Sequence, residues 1–320
     1  MIVKTLEIPI RLKALDALRR RLTSTHPKLI AINDEYGRRK AGFNGEKSVY
    51  YHLKLLDNES YVIFHDLRLA NGEHYFQIDF LLLTSRYALI IEAKNISGIL
   101  LFDDNGQLIR IQNEKREGFS DPVSQAQFHQ RSLKKWMAKY QFPNLPIDYL
   151  VIISKPSSII QMENTDPEIR KRVRPVSKVH DVISHLNHRF QREVLDSNTR
   201  RKLTKFLLKA HSPYYPNLLK EYNLAENDIR TGVQCLKCAF LPMIALKANW
   251  KCPNCQTLSK DAHIQTIQDY FLLIGSTITN RQFRNFIQIT SIQKSRRLLT
   301  SLNLPYSGYN KARVYFRPER

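Results

Sequence analysis

Asp79, Glu92 and Lys94 share one stretch of chain, DFLLLTSRYALIIEAK, in which most other residues are apolar. Two carboxylates beside an ammonium form the set needed to hold a divalent cation and a water against a phosphodiester. That chemistry requires the three groups to meet on one face.

The elements around them make such a meeting feasible. Residues 76–83 and 87–93 are apolar, partly β-branched or aromatic, and of strand length, and Thr84 to Tyr87 suit a short turn between them. A turn centred between Ser85 and Arg86 sets Asp79 opposite Glu92, with Cβ atoms roughly 4.5–5.5 Å apart. Glu92 and Lys94 are two apart on one strand and point the same way. Ile78, Phe80, Leu89 and Ile91 are then expected on the other face. Opposed carboxylates repel, and a cation between them reverses the sign. A slip of one residue would put the acids on opposite faces. The competing reading is that Glu92 and Lys94 are exposed charges at a strand end.

Two flanking segments add polar groups. GFNGEKSVYYHLKLL is expected to form a helix starting near Gly45, with Val49, Tyr50, Leu53 and Leu56 as its apolar stripe. Glu46 falls on that stripe, where a carboxylate is costly unless something satisfies it. Otherwise it is a first-turn glutamate facing the helix dipole. DPVSQAQFHQRSLKKWM opens on Asp-Pro, a helix-start signal. Gln125 then faces the sheet, and His129 follows one turn later. Either of these is also compatible with local hydrogen bonding alone.

The series GE, QIDFLLL, IIEAKNISG and DPVSQAQFH, in that order, resembles the nuclease-related domain (NERD), a branch of the PD-(D/E)XK nuclease superfamily. The resemblance covers about residues 41 to 155, with a weaker tail to about 210. The superfamily's proline before the first acid is replaced by Ile78. The resemblance implies an α/β restriction-endonuclease-like core, a mixed sheet flanked by helices. It implies that Asp79 and Glu92 ligate Mg²⁺ or Mn²⁺ with the Ala93 carbonyl. Lys94 would then orient water or stabilise charge on phosphorus, Glu46 would help to position the metal or a second water, and Gln125 would support the site.

All four cysteines lie further on. Cys235 and Cys238 form one CxxC pair and Cys252 and Cys255 another, with 13 residues (239–251) between them. This spacing points to a closed four-thiolate Zn²⁺ site that is structural rather than catalytic. Disulfides would need an oxidising compartment, and no export signal is seen. The last 60 residues are expected to form three short helices and a hairpin, a winged-helix-like unit. Its third helix turns Ser295, Leu298, Leu299 and Leu302 inward. Lys294, Arg296 and Arg297 are expected to face a nucleic acid, with Lys311 and Arg313 on the wing. The alternative is a small helical domain with a solvated basic face.

Composition agrees with a polyanion partner. Lys and Arg number 50 against 29 Asp and Glu, a formal net charge of +21. No apolar run approaches the roughly 20 residues of a membrane helix, and the amino terminus lacks a signal-peptide pattern. The expected organisation is a helical arm (1–40), a nuclease-like domain (41–210), a zinc ribbon (228–260) and a basic winged-helix-like module (261–320). The expected function is metal-dependent phosphodiester hydrolysis, most readily in DNA, in the cytoplasm and without a membrane partner. Related nucleases often pair, so a homodimer is among the expected assemblies. The alternative is a non-cleaving DNA-binding or partner-docking protein on a nuclease scaffold.

Overall fold

The computed structural model describes residues 1–57, 59–103, 107–162 and 166–318. Along the chain come β1 (Ile2–Lys4), α1 (Ile10–Arg21), α2 (Leu29–Leu53), β2 (Val62–Asn71), β3 (His74–Leu83) and β4 (Ala88–Lys94). Next are β5 (Ile99–Phe102), β6 (Leu108–Gln112), β7 (Lys115–Phe119), α3 (Pro122–Lys139), β8 (Ile147–Ile153) and β9 (Ile159–Gln161). Then follow α4 (Pro167–Arg172), β10 (Val173–Pro175), α5 (Val179–Arg189), α6 (Ser197–Ala210) and α7 (Leu218–Glu221). The last elements are β11 (Ile244–Ala245), β12 (Trp250–Lys251), β13 (Leu258–Ser259), α8 (Ala262–Leu273), β14 (Thr277–Thr279), α9 (Asn280–Ile287), α10 (Ile292–Ser301), β15 (Tyr306–Ser307) and β16 (Val314–Phe316). They form two compact units: Met1–Pro9 with Arg38–Pro213, and Ile10–Gly37 with Tyr214–Arg320.

The first unit is a mixed α/β layer structure. Its six-stranded sheet has the order β1-β2-β3-β4-β8-β10. β2, β3 and β4 are antiparallel, whereas β4, β8 and β10 run parallel. The parallel step from β4 to β8 needs a crossover, and α3 supplies it. Asp121 starts that helix by accepting the Val123 and Ser124 amides, each at 2.9 Å, with Pro122 in the first turn. Both faces of the sheet are covered. Val123, Leu133 and Trp136 of α3 and Leu203 of α6 pack on one face, and Val49 and Leu53 of α2 with Ile183 of α5 pack on the other. This two-sided burial explains why β4 is an unbroken apolar run until Glu92. A second sheet, β7-β6-β5-β9, extends the α3 side through Leu100, Phe102 and Leu108.

One break in alternation matters for the site. Val62 and Phe64 join the α3-side core, and so do Leu67 and Leu69, so β2 changes face across Asp66, which has φ 54°. β3 changes with it: Leu81 and Leu83 lie on the α3 side, but so do Phe76 and Ile78. Ile78 therefore does not share a face with Phe80, Leu89 and Ile91, which pack with α2 and α5. Plain two-residue alternation places all four together.

The first forty residues also divide differently from the expected arm. Ile2–Lys4 is an edge strand of the large sheet, parallel to β2. From Ile10 the chain belongs to the second unit, because Leu15, Leu18 and Leu22 bury there with Ile267 and Phe271 of α8. The helix that carries Glu46 starts at Leu29, not near Gly45.

In the second unit α8, β14, α9, α10, β15 and β16 follow in turn, and the sheet has the order β14-β16-β15. This is a winged-helix arrangement. Beside it the three short strands β11, β12 and β13 carry the cysteine segment. Arg20 and Arg21 of α1 converge on the buried Asp269 of α8, at 2.8 and 2.7 Å.

His211, just after α6, ties the first unit's sheet to pH. Its Nδ1 accepts the Arg68 N–H at 3.1 Å, which requires an unprotonated nitrogen. Burial, and then the charge of Lys4, push its pKa down from 6.5 to about 4. The folded state then binds fewer protons than the unfolded chain within that window. The stabilisation is complete above the unfolded value and is lost as pH falls toward the folded one. With allowance for partial exposure, the loss is about 1–2 kcal/mol. Urea unfolding of the wild type and His211→Gln from pH 7 to 4 should show this difference between them shrinking over that range.

Candidate active site

The β3–β4 ladder pairs Leu83 with Ala88, Leu82 with Leu89, Leu81 with Ile90 and Phe80 with Ile91. Its continuation sets Asp79 across from Glu92. The turn closes as a Thr84 N–H to Tyr87 carbonyl bond at 2.9 Å, reinforced by the Thr84 hydroxyl. At the other end the ladder opens. Ala93 N–H donates not to a backbone carbonyl but to Asp79 Oδ2, at 2.9 Å. Asp79 thus caps the split between the strands.

Glu92 is almost wholly buried and faces α3. Its Oε1 accepts from Lys94 Nζ at 2.8 Å, and the same ammonium donates to Gln125 Oε1 at 2.9 Å. Glu92, Lys94 and Gln125 are therefore one hydrogen-bonded cluster. Glu92 Oε2 is buried without a hydrogen bond. His129 Nδ1 lies 3.5 Å from it, close enough for charge attraction but not for a bond. Burial opposes ionisation of Glu92, yet His129 and Lys94 outweigh it and hold the carboxyl below its usual range. Asp79 is the opposite case: burial, then the charges of Glu92 and Glu46, push its carboxyl well above the usual range. The two acids thus resist sharing full negative charge, and one oxygen stands unsatisfied between them and α3. Such hard oxygen donors with excess negative charge fit Mg²⁺ or Mn²⁺.

Glu46 arrives from α2, on the opposite side of the sheet. It meets the buried His65 of β2, with Nε2 to Oε2 at 2.7 Å. Among the described residues, Glu46, Asp79 and Glu92 do not gather into one group with all ligand atoms within 4.8 Å; the four cysteines do. Sequence reasoning missed His65, which sits inside the apolar run VIFHDL with no signal of its own. His129 was legible as the residue one turn beyond Gln125.

Gly45 decides how closely α2 can approach. A Cβ there would lie 2.6 Å from Asn95 Cβ and 2.5 Å from Ser154 Oγ. These two residues follow directly on β4 and β8, and both Ser154 N–H and Oγ bond the Lys94 carbonyl. A side chain at position 45 would push Glu46 away from the end of β4 that carries Glu92 and Lys94.

In the second unit the four sulfurs are gathered, with Cys235 to Cys255 at 3.6 Å and Cys238 to Cys252 at 3.5 Å. None is in a disulfide. Hydrogen bonding with Thr257 pulls the Cys255 thiol down to about 6, while burial pushes Cys252 up to about 11. On α10, Arg296 and Arg297 are exposed and line a hollow of about 830 Å³ together with Arg313, Gln293 and Thr300. Lys294 does not project outward with them. Its Nζ donates to the Leu246 carbonyl and sits 5.1 Å over the Trp250 ring. The expected role of Lys311 rests on a side chain outside the described residues.

Residues 41–154 match the model of the nuclease-related domain family. No curated protein and no solved structure matches the chain. The chain thus carries a nuclease-related domain, and the β3–β4 site and the inner end of α2 lie inside it. No described helix is long and apolar enough to cross a membrane.

Gly45→Ala should lower stability by about 1–3 kcal/mol through overpacking. Denaturant unfolding measures the loss. A neutral effect would mean that α2 is free to move off the sheet.

Proposed function

We propose that the protein is a Mg²⁺- or Mn²⁺-dependent nuclease that hydrolyses phosphodiester bonds in DNA. The observation that carries this reading is Asp79 placed across from Glu92 just past the last ladder pair, Phe80 with Ile91, with one buried Glu92 oxygen unsatisfied and Asp79 pushed toward its neutral form. A cation at that point would remove both penalties. Asp79 and Glu92 would hold it. The Ala93 carbonyl would join them, because a strand residue's N–H and C=O point the same way and Ala93 N–H faces Asp79. The metal would lower the pKa of a water and polarise the scissile phosphate.

The rest of the work belongs to side chains of this chain. Lys94 is held between Glu92 and Gln125, so its ammonium is fixed in direction. It would orient the attacking water or meet charge developing on the phosphoryl oxygens. Gln125 keeps Lys94 from swinging away, and His129 holds Glu92 ionised. Glu46, steadied by His65, would hold a second water or the outer side of the metal.

The four cysteines are proposed to bind one structural Zn²⁺. Zn–S bonds of about 2.3 Å in a tetrahedron require sulfurs about 3.8 Å apart, and the gathered sulfurs are within a few tenths of that. The winged-helix unit is proposed to bind duplex DNA through Arg296, Arg297 and Arg313, which line one hollow. A non-cleaving DNA-binding protein is the second reading. The bond from Glu46 to His65 rather than to the acid pair favours it.

Cleavage of plasmid and linear DNA with Mg²⁺ or Mn²⁺ should be abolished by chelation. Asp79→Asn and Lys94→Ala should each slow it by at least about 10²-fold. Cutting that survives both substitutions would reject the site. Metal-dependent cutting absent from the wild type, with salt-sensitive binding intact, would favour the second reading. Purified protein should carry about one zinc per chain. Cys235→Ser should lose the metal and melt the ribbon, as followed by elemental analysis and proteolysis.

A further inference from the structure

We infer that the cysteine ribbon belongs to the same DNA-binding surface as α10, its lysines taking backbone phosphates beside the bases that the helix and wing engage. This rests on the reading of α10 and the wing proposed above, and it adds a second contact region to it.

Two hollows carry the inference. The larger lies against Arg296, Arg297 and Arg313. A smaller one, about 250 Å³, lies against Lys247, Lys260, Lys294 and Trp250. Arg297 and Ser301 line both, so the hollows are neighbours on either side of one α10 ridge. No acidic residue lines either hollow. None of these six cations has a carboxylate ion-pair partner among the described residues. A hollow of about 520 Å³ in the first unit gives the contrast. It also collects basic residues, but its Arg172 and Lys178 are neutralised by Asp148 and Asp181. The two hollows of the second unit, by contrast, leave their positive charge unanswered by any lining carboxylate, and a polyanion would relieve it.

The ribbon is fastened to the helix, so its lysines hold a set position. Lys294 reaches from α10 to the Leu246 carbonyl and covers Trp250 of β12. Leu246 N–H in turn bonds the Asn249 carbonyl at 2.8 Å, which closes the loop that presents Lys247. Lys247 and Lys260 are themselves exposed.

Residue type then divides the labour. The exposed stripe of α10, Gln293, Arg296, Arg297 and Thr300, has the i, i+3, i+4, i+7 spacing of one helix face. Such a face suits a major groove, and the arginine fork suits guanine edges. The ribbon side offers only lysine, a point charge that suits phosphate. The ribbon should add affinity without sequence preference.

The test uses the zinc-loaded full chain and fluorescent duplexes of several sequences. Anisotropy is read without added Mg²⁺ over a series of salt concentrations. Lys247→Ala with Lys260→Ala should weaken binding about tenfold on every sequence and reduce the slope of log Kd against log salt by about 1.8, two phosphate contacts. Zinc content should stay at the wild-type level. Lys247→Arg with Lys260→Arg should restore both affinity and slope. Arg296→Ala with Arg297→Ala should weaken binding and alter sequence preference. Unchanged binding in the lysine pair, with loss in the arginine pair, overturns the ribbon's role and leaves the winged-helix reading standing. Unchanged binding in both pairs, or none in the wild type, overturns both. Failure of the lysine-to-arginine pair to restore binding would show that the alanine effect was structural, and would also overturn the ribbon's role.

Discussion

Two carboxylates share the point where the β3–β4 ladder opens, and the first unit is organised around keeping them there. In an unbroken antiparallel sheet Ala93 N–H would serve a backbone carbonyl. Here it serves Asp79, so the side chain takes over a backbone task just as the strands part. Glu92, opposite, stays ionised against burial only because Lys94 and His129 attend it. Removing any one of these partners would leave a buried charge uncompensated, the costliest kind of loss in an interior. The break in alternation at Asp66 lies in the strand next door, opposite Asp79. It lets Ile78 and Leu81 both reach the α3-side core while Asp79 stays at the opening.

A comparable constraint holds the second unit. Asp269 is buried on α8 and accepts from both Arg20 and Arg21 of α1, and Arg20 also bonds Gln234. Arg21 is wholly buried and donates to the Arg230 carbonyl as well. Two guanidiniums on one carboxylate satisfy charge through directed bonds, and that direction sets how α1 docks. The leucine stripe of α1 supplies the apolar part of the same contact. The strongly basic composition therefore has two parts: some arginines are internal fasteners, whereas those of α10 remain exposed.

Legibility followed the range of the interactions. The hairpin around Ser85 and Arg86 and the start of α3 at Asp121-Pro122 are local events, set by residues a few positions apart. The CxxC pairs are equally local, since each pair makes one turn. The start of α2 was less legible. Its residues from Leu29 to Gly37 mix an apolar run with Asn33, Asp34 and Glu35, and the helix there rests on contacts made within the second unit, such as buried Ile32 and Arg11 to Glu35 at 2.7 Å. Lys294 shows the same limit. Spacing put it on the outer side of α10, but Trp250 and the Leu246 carbonyl, over forty positions earlier in the chain, draw it inward.

By itself the sequence determined the strand pair, its register, the capped helix after it and the thiol spacing, because side-chain period and turn chemistry act over short stretches. It also determined which residue types stand ready for a cation and for a polyanion. Only the tertiary structure decided that His65 meets Glu46, that His129 stands beside Glu92, and that Ile78 crosses to the other face. It alone gave α1 to the second unit. Those outcomes depend on which buried polar groups find partners across the fold, and such pairings cannot be read from neighbours in the chain.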